Sequence, residues 1–370
     1  MTAVTPIRMP KWGLSMEEGT VVDWWKPQGA SVSEGDDLVD IETAKINNTF
    51  EAPASGVLRR IVAQAGETVP VGGLIAVLAE AQTPEADIEA FVVEFQAGFT
   101  PQDAAAEGEG LQLSTVIVEG RGIRVGRAGS GEGEPVVLVH GYSGDLNSWA
   151  FNIPALAMVA PVIAIDLPGH GESDKDVGDG SLAGLADVVA GVLIELGVAR
   201  AHLIGHSLGA AVLARLAADR PQLAASLTLI APAYMPGGRL NQDFLTGVAE
   251  GMRAKDLKPA LEMLTADPGL ITREMVEDMV RYKRLDGVEE ALSALRDRMV
   301  SSDDGAALQA DLAKIPRAVV IASRNDRIVG APADLPAGFE VFWMDEAGHL
   351  PHLEKAQAVD EILLRQVGGR

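Results

Sequence analysis

Two copies of one short unit fill the first 80 residues, and a duplicated unit of that length leaves few folds open. A shift of 37 residues superposes Gly19 on Gly56, Gly29 on Gly66, Val32 on Val69, Gly35 on Gly72 and Leu38 on Ile75. The neighbours agree, Gly29-Ala30-Ser31-Val32-Ser33-Glu34-Gly35 against Gly66-Glu67-Thr68-Val69-Pro70-Val71-Gly72. Repeated turn glycines separated by short apolar runs such as Thr20-Val21-Val22, Leu38-Val39-Asp40-Ile41 and Leu74-Ile75-Ala76-Val77-Leu78 read as brief strands. A small all-β domain with pseudo-twofold symmetry is therefore expected. Between the copies, where nothing superposes, lies Asp40-Ile41-Glu42-Thr43-Ala44-Lys45-Ile46. Lys45 falls in the connection joining the two halves, where a hairpin tip projects.

Over roughly residues 5–79, this glycine pattern and its central lysine resemble the lipoyl and biotinyl carrier domain family. Methionines usually flank the modified lysine of biotinyl domains, whereas Ala44 precedes Lys45 and Ile46 follows it, with Glu42-Thr43 upstream. That difference favours lipoate over biotin. The resemblance implies a flattened β-barrel with lipoate attached covalently to Lys45 by a lipoate ligase. The alternative is an ordinary exposed lysine.

Charge locates the end of this domain. The chain has 53 acidic and 30 basic residues, a net charge of −23, yet residues 81–110 hold seven acidic side chains and no basic one. Such a field repels phosphate backbones and anionic lipid, so neither nucleic-acid nor membrane binding is expected. The domains read as 1–80 for the carrier, 81–114 for an acidic linker and 115–370 for a larger domain. Within the linker, Ile88, Phe91, Val92, Phe95 and Phe99 recur at helical spacing, as in a short amphipathic helix. Its apolar stripe would pack on a neighbouring domain or dock another subunit. The chain has no cysteine, which excludes disulfides, thiolate metal sites and a cysteine nucleophile. No signal-peptide core or apolar run of about 18 residues is present, and a cytoplasmic protein is expected.

From residue 111 apolar runs alternate with helical segments: Val136-Val137-Leu138-Val139, Val162–Ile165, Ala201–Ile204, Leu227–Ile230, Ala318–Ile321 and Glu340–Trp343 read as strands. This alternation indicates an α/β domain with a mainly parallel sheet. Gly205-His206-Ser207-Leu208-Gly209 follows one strand and opens a helix. In that context G-x-S-x-G is a strand-to-helix elbow that lifts a serine hydroxyl above the sheet. An acid, Asp326, and a histidine, His349, follow in order. Asp345 and Glu346 compete for the first place, His352 for the second.

The order Ser207, Asp326, His349 resembles the α/β-hydrolase family over roughly residues 115–367. That resemblance implies Ser207 as nucleophile, His349 as base and Asp326 as its orienting acid. From His140-Gly141-Tyr142-Ser143-Gly144 it implies an oxyanion hole made by the backbone amides of Tyr142 and Leu208. The turn Asp166–Ser173 reads as structural, the stretch around 236–314 as a helical cap, and no metal is expected because no H-E-x-x-H-like spacing occurs.

The expected fold is thus multidomain, a small all-β lipoyl/biotinyl-type barrel followed by an α/β-hydrolase fold with a helical cap. The H-x-x-x-D-G motif of the usual lipoyl-linked acyltransferases is absent, and no subunit-binding domain is recognisable in residues 81–110. The combination resembles the acyltransferase components of acetoin dehydrogenase complexes. It implies acetyl transfer from acetyldihydrolipoyl-Lys45 to coenzyme A. The implied partners are a thiamine-diphosphate-dependent dehydrogenase component and a flavin dihydrolipoamide dehydrogenase component, and a homo-oligomer is expected. A serine hydrolase (thioesterase or esterase) with an appended carrier, and a scaffold with a hydrolase-like domain, are the rival readings.

Overall fold

In the first unit the repeated sequence becomes a pair of matching sheets. The computed structural model describes residues 4–10, 18–42, 47–99, 111–131 and 133–368. The chain divides into two compact units, Met1–Gly110 with Thr272–Met275, and Leu111–Ile271 with Val276–Arg370. The first contains β1 (Thr5–Arg8), β2 (Glu18–Trp24), β3 (Ser31–Val32), β4 (Asp37–Glu42), β5 (Asn47–Glu51), β6 (Gly56–Ile61), β7 (Thr68–Pro70) and β8 (Leu74–Ala79). They form two four-stranded antiparallel sheets, β1-β8-β6-β3 and β5-β4-β2-β7. The 37-residue shift carries β2, β3 and β4 onto β6, β7 and β8, so the adjacent pair β4-β2 of one sheet answers to β8-β6 of the other. The repeated glycines explain themselves: Gly29 and Gly66 have φ of 92° and 87°, Gly35 and Gly72 of 85° and 78°. Side chains avoid that region, so each turn requires glycine twice over.

Ile7, Val21, Leu38, Ile41, Leu58, Ile75 and Leu78 fill the space between the sheets. All six residues of β8 are buried, because its other face is covered too. The helix Glu85–Gly98 lays Ile88 and Val92 against Leu74 and Val77. Arg60 pairs with Glu85 and Glu89, and Arg59 donates to the Thr83 carbonyl at 2.8 Å, holding the helix start against β6. The amphipathic stripe in the acidic segment is therefore a cover for this unit's own sheet. In the β4–β5 hairpin, Glu42 pairs with Asn47. The four residues between them, Lys45 included, lie outside the described residues, as do residues 100–110.

The second unit is built on β9 (Gln112–Val118), β10 (Arg121–Ala128), β11 (Val136–Val139), β12 (Val162–Ile165), β13 (Ala201–His206), β14 (Ala224–Ile230), β15 (Ala318–Ser323) and β16 (Phe339–Met344). Their order is β16-β15-β14-β13-β11-β12-β10-β9. The six strands from β16 to β12 are parallel and the last two antiparallel. β11, β12 and β15 are buried throughout, as strands covered by helices on both faces must be. β9 starts at Gln112, ahead of the boundary at 115, with Gln112 and Leu113 exposed on an edge strand.

Between β14 and β15 stand five α-helices, Gln242–Glu250, Ala254–Leu261, Arg273–Lys283, Val288–Ser301 and Asp304–Asp311. Among the described residues no helix is long and apolar enough to cross a membrane. The loops after β11, β13, β15 and β16 leave the same, C-terminal edge of the parallel sheet, where sites of open α/β sheets form.

Candidate active site

Ser207 sits between β13 and the helix Leu208–Asp219 with φ 52° and ψ −113°, a conformation that costs a non-glycine residue of order 1–3 kcal/mol. Its surroundings hold it there. The Ser207 amide donates to the Ile230 carbonyl at 2.9 Å, and the Ser207 carbonyl accepts from Ala211 and Ala233, both at 3.1 Å. The flanking glycines are required by close approach. A Cβ on Gly205 would lie 2.7 Å from the Ala210 backbone, and one on Gly209 2.3 Å from the carbonyl oxygens of Val139 and His140. The Leu208 amide begins a helix and so has no intrahelical acceptor.

Asp326 follows β15 and His349 follows β16. His349 Nδ1 lies 2.8 Å from Asp326 Oδ2, and both side chains are 2% exposed. Asp326 Oδ1 accepts from the amides of Ile328 and Val329 at 2.8 and 3.0 Å. Burial works to raise this carboxyl, but the charge and hydrogen bond of His349, with the two amides, hold it below the ordinary range. Asp326 is therefore ionised, and His349 Nδ1 carries the proton that bonds it. Nε2 is left as the basic nitrogen. The competing acids are elsewhere: Asp345 and Glu346 are 83% and 87% exposed and pair with Arg324 and Lys355. The competing base is buried between Trp149 and His206, ring centroids at 4.9 and 4.6 Å, with neither nitrogen of His352 bonded.

Among the described hydrogen bonds none joins the Ser207 hydroxyl to His349. The two are tied instead through His206, the residue before Ser207, whose Nε2–H donates to the His349 carbonyl at 2.8 Å with the rings 4.7 Å apart. Burial, then the neighbouring His352 and His349, keep His206 neutral.

The loop after β11 lies against this elbow. A Cβ on Gly141 would come within 2.8 Å of His206 Nδ1 and 2.9 Å of Ser207 Cβ. His140 Nε2 accepts from the Leu167 amide at 3.0 Å, so its Nδ1 carries the proton and donates to the Gly141 carbonyl at 2.8 Å. The amides of Tyr142 and Leu208 enter none of the described hydrogen bonds, and the Tyr142 hydroxyl donates to Leu292 in the cap at 2.9 Å. Within the turn Asp166–Ser173, Asp166 accepts from Glu172 and the Ser173 hydroxyl donates to the Asp166 carbonyl, while the Leu146 amide donates to Asp166 from outside the turn. Among the described residues no three His, Asp or Glu side chains gather as metal ligands. His206 lies inside the Gly205–Gly209 motif, as a structural neighbour of the serine, whereas Glu354 escaped the sequence reading: it accepts from the amides on either side of His349 and had no motif to mark it.

Comparison with known proteins agrees with both units. A profile described as the alpha/beta hydrolase family matches residues 136–362, and one described as biotin-requiring enzyme matches residues 5–78. The chain is 43% identical over 365 residues, 98% of each chain, to the dihydrolipoyllysine-residue acetyltransferase component of the acetoin cleaving system of Pseudomonas putida. It is 40% identical to the protein of the same description from Cupriavidus necator, over 99% of this chain and 98% of that one. A solved meta-cleavage product hydrolase from Pseudomonas fluorescens IP01 superposes with a TM-score of 0.62 at 20% identity, covering 69% of this chain and 97% of its own. That last likeness establishes the fold.

Proposed function

The chain belongs to the family of dihydrolipoyllysine-residue acetyltransferase components of acetoin cleaving systems, and from that premise we propose that it moves an acetyl group from acetyldihydrolipoyl-lysine to coenzyme A through Ser207, His349 and Asp326. The observation that carries the mechanism is the Asp326–His349 bond, which leaves His349 Nε2 basic beside the serine elbow.

In the carrier family that the first unit resembles, the modified lysine stands on a hairpin between two strands. The antiparallel β4 and β5, paired out to Glu42 and Asn47, bracket Lys45 in that way. Lys45, modified by lipoate ligase, would then carry a dithiol arm that presents the acetyl group as a thioester. Ser207 Oγ attacks the thioester carbonyl while His349 Nε2 takes its proton. The amides of Tyr142 and Leu208 receive the oxyanion, a contribution of about 3 kcal/mol per donor. Return of the proton to the departing thiolate leaves an acetyl-serine and a free thiol. His349 next takes the coenzyme A thiol proton, the sulfur attacks the acetyl-serine, and Ser207 recovers its proton as acetyl-coenzyme A leaves. Burial of Ser207 and His349 limits competing attack by water.

The reading places the chain in the cytoplasm as a homo-oligomer. There it works with a thiamine-diphosphate-dependent component that loads the arm and a flavin dihydrolipoamide dehydrogenase that reoxidises it. The decisive experiment is acetyl transfer by lipoylated Ser207→Ala. Transfer is expected to fall to background; an unchanged rate overturns the acyl-serine route, and acetate as the sole product of the native chain selects hydrolysis.

A further inference from the structure

The three consecutive amides around His349 all have assigned acceptors. Glu354 Oε1 accepts from Gly348 at 2.8 Å and from Leu350 at 3.3 Å, and the Leu264 carbonyl accepts from His349 at 2.7 Å. The second oxygen, Glu354 Oε2, accepts from the Ala266 amide at 2.7 Å. One carboxylate thus bonds the His349 loop on one side and the cap segment Leu264–Ala266 on the other. The approach is close enough that a Cβ on Gly348 would lie 2.6 Å from the Ala266 nitrogen and the Thr265 carbonyl carbon.

The same segment also reaches the loop of Asp326. Arg327 Nη2 donates to the carbonyls of Thr265, at 2.8 Å, and Glu262. Asn241, which caps the helix Gln242–Glu250, donates from Nδ2 to the Arg327 carbonyl at 2.8 Å. Residues 262–266 are therefore a strap bonded to both loops whose side chains meet in the Asp326–His349 pair.

We infer that Glu354 is a positioning residue for His349, and that it and Arg327 couple the cap segment 262–266 to the alignment of the His349–Asp326 pair. Glu354 reaches no reacting atom and acts through the backbone on either side of the base. The inference rests on His349 being the base of the proposed reaction. Its chemical content is specific. A carboxylate offers acceptors to both the loop and the cap, whereas a carboxamide in the same place turns its NH2 toward one set of N–H donors. Misplacement of a catalytic base by a fraction of an ångström to 1 Å lowers turnover without weakening substrate binding.

The test uses the full lipoylated chain with Glu354→Gln, Glu354→Ala and Arg327→Ala. Acetyl transfer to coenzyme A is measured per functional site, with sites counted by fluorophosphonate labelling of Ser207 and folding followed by circular dichroism. Glu354→Gln is expected to lower kcat by about tenfold or more with KM for coenzyme A within about twofold of native, and Arg327→Ala to lower kcat by severalfold in the same manner. A purely structural role would reduce the number of folded sites and leave kcat per site unchanged, which overturns the inference. Should Glu354→Gln and Glu354→Ala both fail to fold, Arg327→Ala at native kcat overturns it alone. Failure of the acyl-serine route is separately visible: Ser207→Ala then transfers acetyl normally, and the effect of Glu354 on His349 is read from the transfer rate per folded chain.

Discussion

Asp326 faces His349 with one oxygen and its own loop with the other, Oδ2 at 2.8 Å from Nδ1 and Oδ1 bonded to the amides of Ile328 and Val329. The carboxylate has no freedom to turn away, so it fixes both the tautomer and the plane of the ring. Asp326→Asn keeps the shape, but its NH2 group faces either Nδ1–H or the two amides, and His349 adopts the other tautomer. Acylation of Ser207 by an activated acetyl ester is expected to slow by roughly 10³- to 10⁴-fold, measured as the pre-steady-state burst rate.

Histidines near the site give the fold a defined acid sensitivity. Burial, and then His349, bring His352 from its ordinary value of 6.5 to about 3. Below pH 6.5 the unfolded chain binds a proton there that the folded chain refuses until about pH 3, so stability falls as pH drops through that window. His206 acts with the same sign. His352→Phe removes one refused proton and two unbonded buried nitrogens while keeping a ring against Trp149. The melting temperature of the variant is expected to drop less than that of the native chain between pH 7 and pH 5, as scanning calorimetry would register.

Lys45→Arg keeps the charge and removes the acylation site. Intact mass after coexpression with a lipoate ligase is expected to show no added lipoyl group, and acetyl transfer from the loaded arm should be lost. Acylation of Ser207 by a small acetyl ester should persist at the native rate, separating the carrier from the chemistry.

Gly209→Ala places a methyl group 2.3 Å from the carbonyl oxygens of Val139 and His140, both backbone atoms. The helix after Ser207 must move away from β11, at a cost of roughly 1–3 kcal/mol. Chemical denaturation should report that loss, and Ser207 labelling should slow as the elbow shifts.

What the residues alone reveal follows how local each feature is. The turn glycines are legible because positive φ is a demand on single positions, and the repeat states each demand twice. The elbow is legible because close backbone approach demands glycine at the two positions that flank Ser207 at a fixed spacing. The glycine before His349 favours it over His352 in the sequence, and the arrival of Asp326, 23 positions upstream, distinguishes the two in space, His352 standing in the short helix Pro351–Glu354. Glu354 is more hidden still: its partners are backbone amides, one of them 88 positions away, and an amide has no residue type to recognise.

The two sheets of the first unit do not divide as its two sequence copies do. β3 belongs to the first copy but pairs with β6 of the second, while β7 of the second pairs with β2 of the first. Each copy has thus lent its shortest strand to the other. A single copy standing alone would lack that strand and would regain it only by exchange with another chain. Joined in tandem, the halves form a dimer folded into one polypeptide, with Lys45 on the stretch that joins them.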